Sequence, residues 1–180
     1  MIISLCGFMG AGKSTIGKHL ANWLGFRFTD LDSYIEKKFG CTVSAFFAAS
    51  GETRFREEEY NALSEIFADN GKDLILALGG GTLTKPECAE LVKSKSTVIY
   101  LYCNEEALFK RLLKGKAKRP LLADKSDAEL KEHIRNLVSK RESAYASAAS
   151  FTVDTSVWSI SGIIGEISAK LPPYQENGKY

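Results

Sequence analysis

Two rhythms of apolar positions alternate along this chain. Ile2–Cys6, Leu74–Leu78 and Thr97–Tyr102 are almost continuously apolar and predict short strands buried on both faces. Phe26–Phe28 and Phe151–Val153 predict two more. Between them, apolar residues recur every three or four positions, the spacing of a helix with one buried face. Lys13–Leu24 carries Ile16, Leu20, Trp23 and Leu24 in this way. Ser33–Phe39 reads as a helix closed by Gly40, and Thr42 as the cap of a short helix over Val43–Ala49. A longer helix is predicted over Thr53–Asp69, with Phe55, Leu63, Ile66 and Phe67 inward and Gly71 beyond its end. Further helices are predicted over Glu87–Lys93, Glu105–Leu113, Ala128–Ala146 and Ser161–Leu171. Strands that alternate with helices imply an α/β fold with a parallel sheet covered on both faces. Ligands of such folds lie beyond the carboxyl ends of the strands.

A chain of 180 residues is enough for one domain with a sizeable core. At 44% hydrophobic and 26% charged residues it is an ordinary globular composition, not a disordered or fibrous one. The 24 basic and 22 acidic side chains leave +2, too little for bulk attraction to nucleic acid or a membrane. An anionic partner therefore needs a local site. No apolar run reaches the roughly 20 residues that span a bilayer, and the apolar start lacks a basic leader. Cys6, Cys41, Cys88 and Cys103 are too scattered for a zinc site and read as free thiols of a reducing cytoplasm. His19 and His133 read as helix-surface or packing residues.

Gly7-Phe-Met-Gly10-Ala11-Gly12-Lys13-Ser14-Thr15 satisfies G-x-x-x-x-G-K-[ST] and stands between a predicted strand and a predicted helix. The loop amides and the helix N-terminus form an anion cradle, Lys13 reaches the β- and γ-phosphates, and Ser14 ligates Mg²⁺. The motif implies nucleoside triphosphate binding and leaves the acceptor open. A guanine-reading N-K-x-D element is absent, and Leu74–Leu78 runs into glycines where a Walker-B aspartate is usual.

Four further clusters fall at predicted strand ends or next to them. Asp30 and Asp32 are candidates for Mg²⁺ and for receiving a hydroxyl proton, respectively, or else cap the helix at Ser33. Arg56 and Glu59, three apart on a helix, can pair and hold the guanidinium ready for a carboxylate or two hydroxyls; the plainer reading is an exposed ion pair. Gly79-Gly80-Gly81 lets backbone approach a ligand, or is a flexible turn. Six basic residues and no acidic ones lie between Lys110 and Arg119, either a solubilising loop or a lid that brings Arg119 to the phosphoryl and Arg111 to the base. Arg141 is a candidate second carboxylate anchor.

In these elements the chain resembles the shikimate kinases. The matching residues are Gly7–Thr15, Asp30-x-Asp32 with Ile35-Glu36 and Gly40, Gly51-Glu-x-x-Phe-Arg56-x-x-Glu59, Gly79–Gly81, Arg119-Pro-Leu-Leu122, and Arg141 with Tyr145. They occur in the family's order across residues 2 to about 154. Glu-Ser-Ala-Tyr145 departs from the Pro-Leu-Tyr that often follows the family's last arginine. The resemblance implies a fold like that of the P-loop nucleoside monophosphate kinases, with three layers, five parallel strands and order 2-3-1-4-5. It implies transfer of the γ-phosphoryl of ATP to the 3-hydroxyl of shikimate.

The resemblance also assigns residues. Lys13, Asp32 and Arg119 are the catalytic set. Gly10 to Thr15, Arg111 and Arg119 bind ATP, and Ser14 and Asp30 hold Mg²⁺. Asp32, Phe47, Phe55, Arg56, Gly79, Gly80, Gly81 and Arg141 bind shikimate. One kinase domain is expected over 1–172, with an acceptor region at about 33–62, a mobile lid at about 111–126 and a disordered tail at 173–180. A cytoplasmic monomer is expected, without nucleic-acid or membrane partners. Gluconate or another small molecule is the rival acceptor, and a P-loop switch protein is the rival from another class.

Overall fold

In the computed structural model, residues 1–69, 73–114, 126–157 and 159–172 are described. The central strand β1 (Ile2–Cys6) lies between β3 (Leu74–Ala77) and β4 (Thr97–Tyr102), with β2 (Arg27–Asp30) and β5 (Phe151–Asp154) at the edges. The order is β2-β3-β1-β4-β5, and every pairing is parallel, with Ile3 opposite both Ile75 and Thr97. Neighbours in such a sheet need crossovers, and helices supply them.

Strands β1, β3 and β4 are mostly apolar because both faces are covered. Leu5 lies beneath Gly17 of α1 (Lys13–Leu24), whereas Ser4, on the opposite face, meets the Ser96 hydroxyl at 2.7 Å at the end of α4 (Pro86–Lys95). The last helix, α7 (Ile160–Lys170), packs beside α1, and α6 (Asp127–Ala148) packs against β4 and α4. The helix α5 (Glu105–Lys114) packs against α6.

Local chemistry sets the helix ends. Asp30 caps α2 (Leu31–Phe39) by accepting from the Ser33 amide, and Gly40 ends it in the left-handed region. A capping box between Ser126 and Glu129 starts α6. The two helices expected over Val43–Ala49 and Thr53–Asp69 form one run, α3 (Val43–Ala68), interrupted at Gly51, where φ is 76°.

Two local expectations are corrected. Trp23 is 70% exposed, and the buried stripe of α1 is Ile16, Gly17, Leu20 and Ala21. The strand β2 runs on to Asp30, and α2 starts at Leu31 and not at Ser33, which puts Asp32 in its first turn. All four cysteines are free. Among the described residues no helix is long and apolar enough to cross a membrane. Gly71, most of the expected lid and the expected tail lie outside the described residues.

Candidate active site

The loop from β1 to α1 is shaped by glycine. At Gly7 φ is 138°, and a Cβ there would stand 2.5 Å from the Leu101 carbonyl oxygen. The bare backbone is what lets the loop lie this close to β4. The first turn of α1 has no side-chain cap, so its amides open into a cleft of about 600 Å³. Gly10, Ala11, Gly12, Lys13, Ser14 and Thr15 line that cleft together with Asp30, Asp32 and Arg111. Lys13 folds across the loop, donating to the carbonyls of Gly7 at 2.8 Å and Phe8 at 3.2 Å. Burial lowers its pKa, against the opposing pull of Asp32.

The two aspartates divide by position. Asp30 accepts from the Ser14 hydroxyl at 2.6 Å and, through its other oxygen, from the Ser33 amide at 3.3 Å. Helix capping and the site are therefore served by one carboxylate. Asp32 has its pKa raised to about 6, first by burial and then by the charges of Asp30 and Glu59, with Lys13 opposing. Among the described residues no cluster of three or more His, Cys, Asp or Glu side chains converges as a metal cage. Ser14 and Asp30 bring two hard oxygen donors together at the edge of the cleft.

Arg56 is set by its own helix. Its Nη1 donates to Glu59 at 2.7 Å and its Nη2 to Glu52 at 3.2 Å. Burial works against its charge, but Glu59 and Glu52 outweigh burial and raise its pKa. Glu59 is fully buried and accepts the Thr82 hydroxyl through its other oxygen. The guanidinium lies over the rings of Phe55 at 5.5 Å and Phe47 at 5.9 Å, and the two rings are 4.4 Å apart. Phe55 is core, whereas Phe47 is half-buried.

The triple glycine is where these groups meet. A Cβ at Gly79 would stand 2.9 Å from Asp32 Oδ1, one at Gly80 3.5 Å from Arg141 Nη1, and one at Gly81 2.3 Å from Arg56 Nη2. Tyr145, one turn after Arg141 on α6, donates its hydroxyl to the Gly80 carbonyl and stacks on Tyr100. Among the described residues Arg141 has no carboxylate within ion-pair distance (Arg56 has two).

Arg111 lines the cleft at the phosphate loop and also braces that loop. It donates to Gly10 O at 3.2 Å, to Cys103 Sγ at 3.4 Å and to Thr155 O. The Thr155 hydroxyl, fully buried, is in turn within 3.0 Å of Ala11 O and 2.9 Å of Tyr102 O. Arg119 lies outside the described residues. The sequence reading missed Thr82 and Thr155, which no motif marks. It also missed the role of Glu52, although Gly51-Glu52 stands in the motif that carries Arg56.

The shikimate kinase family model matches residues 9–172. The chain is 42% identical over 178 residues to a shikimate kinase of Chlorobium phaeobacteroides, covering 96% of this chain and 92% of that protein. Its fold is similar to the crystal structure of shikimate kinase from Bacteroides thetaiotaomicron, with TM-score 0.88, 33% identity and coverage of 94% and 97% of the two chains. It is also similar to shikimate kinase from Acinetobacter baumannii in complex with shikimate, with TM-score 0.83, 36% identity and 95% coverage of each chain.

Proposed function

The chain belongs to the shikimate kinase family, and we propose that its residues divide the work of that reaction along the carboxyl edge of the sheet. The activity is that of a shikimate kinase: the γ-phosphoryl of ATP passes to the 3-hydroxyl of shikimate, giving shikimate 3-phosphate and ADP. The observation that carries the residue assignment is the meeting of Arg56 and Arg141 at Gly80–Gly81, with Asp32 beside Gly79. Two cations next to one carboxylate suit an acceptor that has an acid group at one end and a hydroxyl at the other.

In this reading Arg56 and Arg141 grip the shikimate carboxylate, and Phe47 and Phe55 wall its ring. The bare backbone of the three glycines admits the ring where a Cβ would intrude. Asp32 holds the attacking hydroxyl and takes its proton while the oxygen bonds to the γ-phosphorus and the bond to the β-phosphate oxygen breaks. A carboxyl whose pKa is about 6 is suited to receive a proton near neutrality. Lys13 exchanges the Gly7 and Phe8 carbonyls for phosphate oxygens, and the amides of Gly10 to Thr15 bind the same phosphates. Arg111 holds the loop beside the nucleotide.

Ser14 and Asp30 suit Mg²⁺, which takes hard oxygen donors and needs only one or two from the protein when phosphates and water complete its shell. A bound Mg²⁺ supplies positive charge that offsets the charge developing on the phosphates. Four free thiols support a reducing, cytoplasmic setting.

The test is an ADP-release assay with shikimate, gluconate and no acceptor in parallel. ADP with shikimate alone is expected. Equal ADP without acceptor would make the chain a hydrolase or switch, and release with gluconate would reassign the acceptor. For Arg56→Ala a large rise in the KM for shikimate is expected, and an unchanged KM removes Arg56 from the clamp.

A further inference from the structure

We propose that Glu52 is a displaceable stand-in for the acceptor's carboxylate on Arg56, and that it sets the affinity an acid must reach to enter the clamp. The inference rests on the reading of Arg56 as a carboxylate anchor. Arg56 is held by two carboxylates of unequal kind. Glu59, on Nη1 at 2.7 Å, is fully buried and anchored by Thr82. Glu52, on Nη2 at 3.2 Å, has a side chain 70% exposed. The arm that Glu52 holds is the one nearest Gly81, 2.3 Å from the place of a Cβ there. Glu52 therefore occupies the arm beside the acceptor loop.

With both carboxylates engaged, one guanidinium already answers two negative charges and has little to offer an incoming anion. One partner has to yield, and the physics selects Glu52. An exposed ion pair contributes little, whereas withdrawing Glu59 would strand a buried carboxylate. Glu52 also has somewhere to go. It lines an open hollow of about 440 Å³ with Thr53, Arg56, Thr84, Lys85 and Pro86, where Lys85 offers a second cation. It directly follows Gly51, the break in α3, so it stands in the first turn of the second half-helix and can change rotamer without unwinding it.

Displacing Glu52 weakens every carboxylate by the same factor. A ligand that also reaches Asp32 and the glycine backbone stays well bound, whereas an acid without hydroxyls is held only weakly. Until the acceptor arrives, Glu52 also keeps Arg56 extended toward Gly81.

The experiment measures dissociation constants by calorimetry without ATP, for shikimate, for cyclohexanecarboxylate and for ADP. Proteins are the unaltered chain, Glu52→Gln, Glu52→Ala and Arg56→Ala. Removing the Glu52 charge is expected to tighten both carboxylates by a similar factor, about two- to fivefold, with ADP unchanged. A merely structural role for Glu52 would weaken the acids or move all three ligands together. Unchanged or weaker shikimate binding in both Glu52 variants, with Arg56→Ala still weakening it, overturns this inference and leaves the clamp standing. Shikimate binding that ignores Arg56→Ala overturns both.

Discussion

Tyr145 donates its phenolic proton to the Gly80 carbonyl across 65 residues of sequence, joining α6 to the glycine loop at the point where Arg141 arrives. The ring is buried and stacked on Tyr100 at 5.4 Å, so the hydroxyl has little freedom to point elsewhere. Tyr145→Phe keeps the ring and deletes the bond. A loss of about 1 kcal/mol is expected, read as a lower urea midpoint with unchanged m. If the glycine loop binds the acceptor as proposed, the KM for shikimate should rise more than that for ATP, because the bond orders that loop. A variant equal to the parent in both measurements would make the contact incidental.

Gly81→Ala tests the closest approach in the site. Gly81 has φ −113° and ψ −4°, which alanine adopts without strain, so the fold should tolerate it. The new methyl would stand 2.3 Å from Arg56 Nη2, and the guanidinium, tied to Glu59 and Glu52, must move. A rise of about tenfold or more in the KM for shikimate is expected, equivalent to losing one charged hydrogen bond. Thermal stability should fall as well, because moving the guanidinium strains its pair with the buried Glu59. An unaltered KM would show that Arg56 does not work from this position.

Asp32 gives a pH signature in activity and stability. Its folded pKa of about 6 exceeds its ordinary value of 3.8 because burial and neighbouring carboxylates oppose its charge. As proton acceptor it must be ionised, so kcat/KM should climb as pH rises through about 6 and then level. Asp32→Asn should lose about a hundredfold or more at the plateau, and the rising limb with it. The stability effect runs the other way. Between pH 3.8 and about 6 the folded protein holds a proton that the unfolded chain has released. The contribution of Asp32 to stability therefore falls as pH rises through that window. Melting temperatures of parent and variant at pH 4.5 and 7.5 should diverge in favour of the asparagine at the higher pH. A constant difference would mean that Asp32 titrates normally in the fold.

What could be read from the chain beforehand depends on how local each feature is. The phosphate loop is contiguous, and its geometry follows from the glycines at 7, 10 and 12, so its residues sufficed. The parallel sheet followed from the alternation of strands and helices, whereas its strand order came only through the resemblance to the shikimate kinases. Asp30 and Asp32 stood out as residues, but the helix beside them starts at Leu31, two residues before the predicted Ser33, so Asp30 is its cap and Asp32 lies in its first turn. Trp23 has helical spacing yet points to solvent, because periodicity fixes a stripe only to within one position, and Gly17 and Ala21 fill the buried side. Thr82 on Glu59 and Arg111 on Thr155 could not be read at all. Each pair joins residues 23 and 44 apart, respectively, and only the folded sheet brings them together.

Arg111 is bonded to the phosphate loop, and its substitution tests the nucleotide role proposed for it by separating bracing from charge. One guanidinium spans Gly10 of the phosphate loop and Thr155 of the segment after β5, while its stem stays on α5. If it acts as a brace, its value lies in two arms that reach two carbonyls at once. A lysine supplies the charge from one point and cannot do this. Arg111→Lys is therefore expected to behave like Arg111→Met: a higher KM for ATP, an unchanged KM for shikimate and a lower melting temperature. Stability should fall by about 1.5–3 kcal/mol, the range for losing hydrogen bonds made by a charged group. If lysine instead restores ATP affinity in full, charge near the nucleotide is what matters. The bonds to Gly10 and Thr155 would then be packing and not a brace.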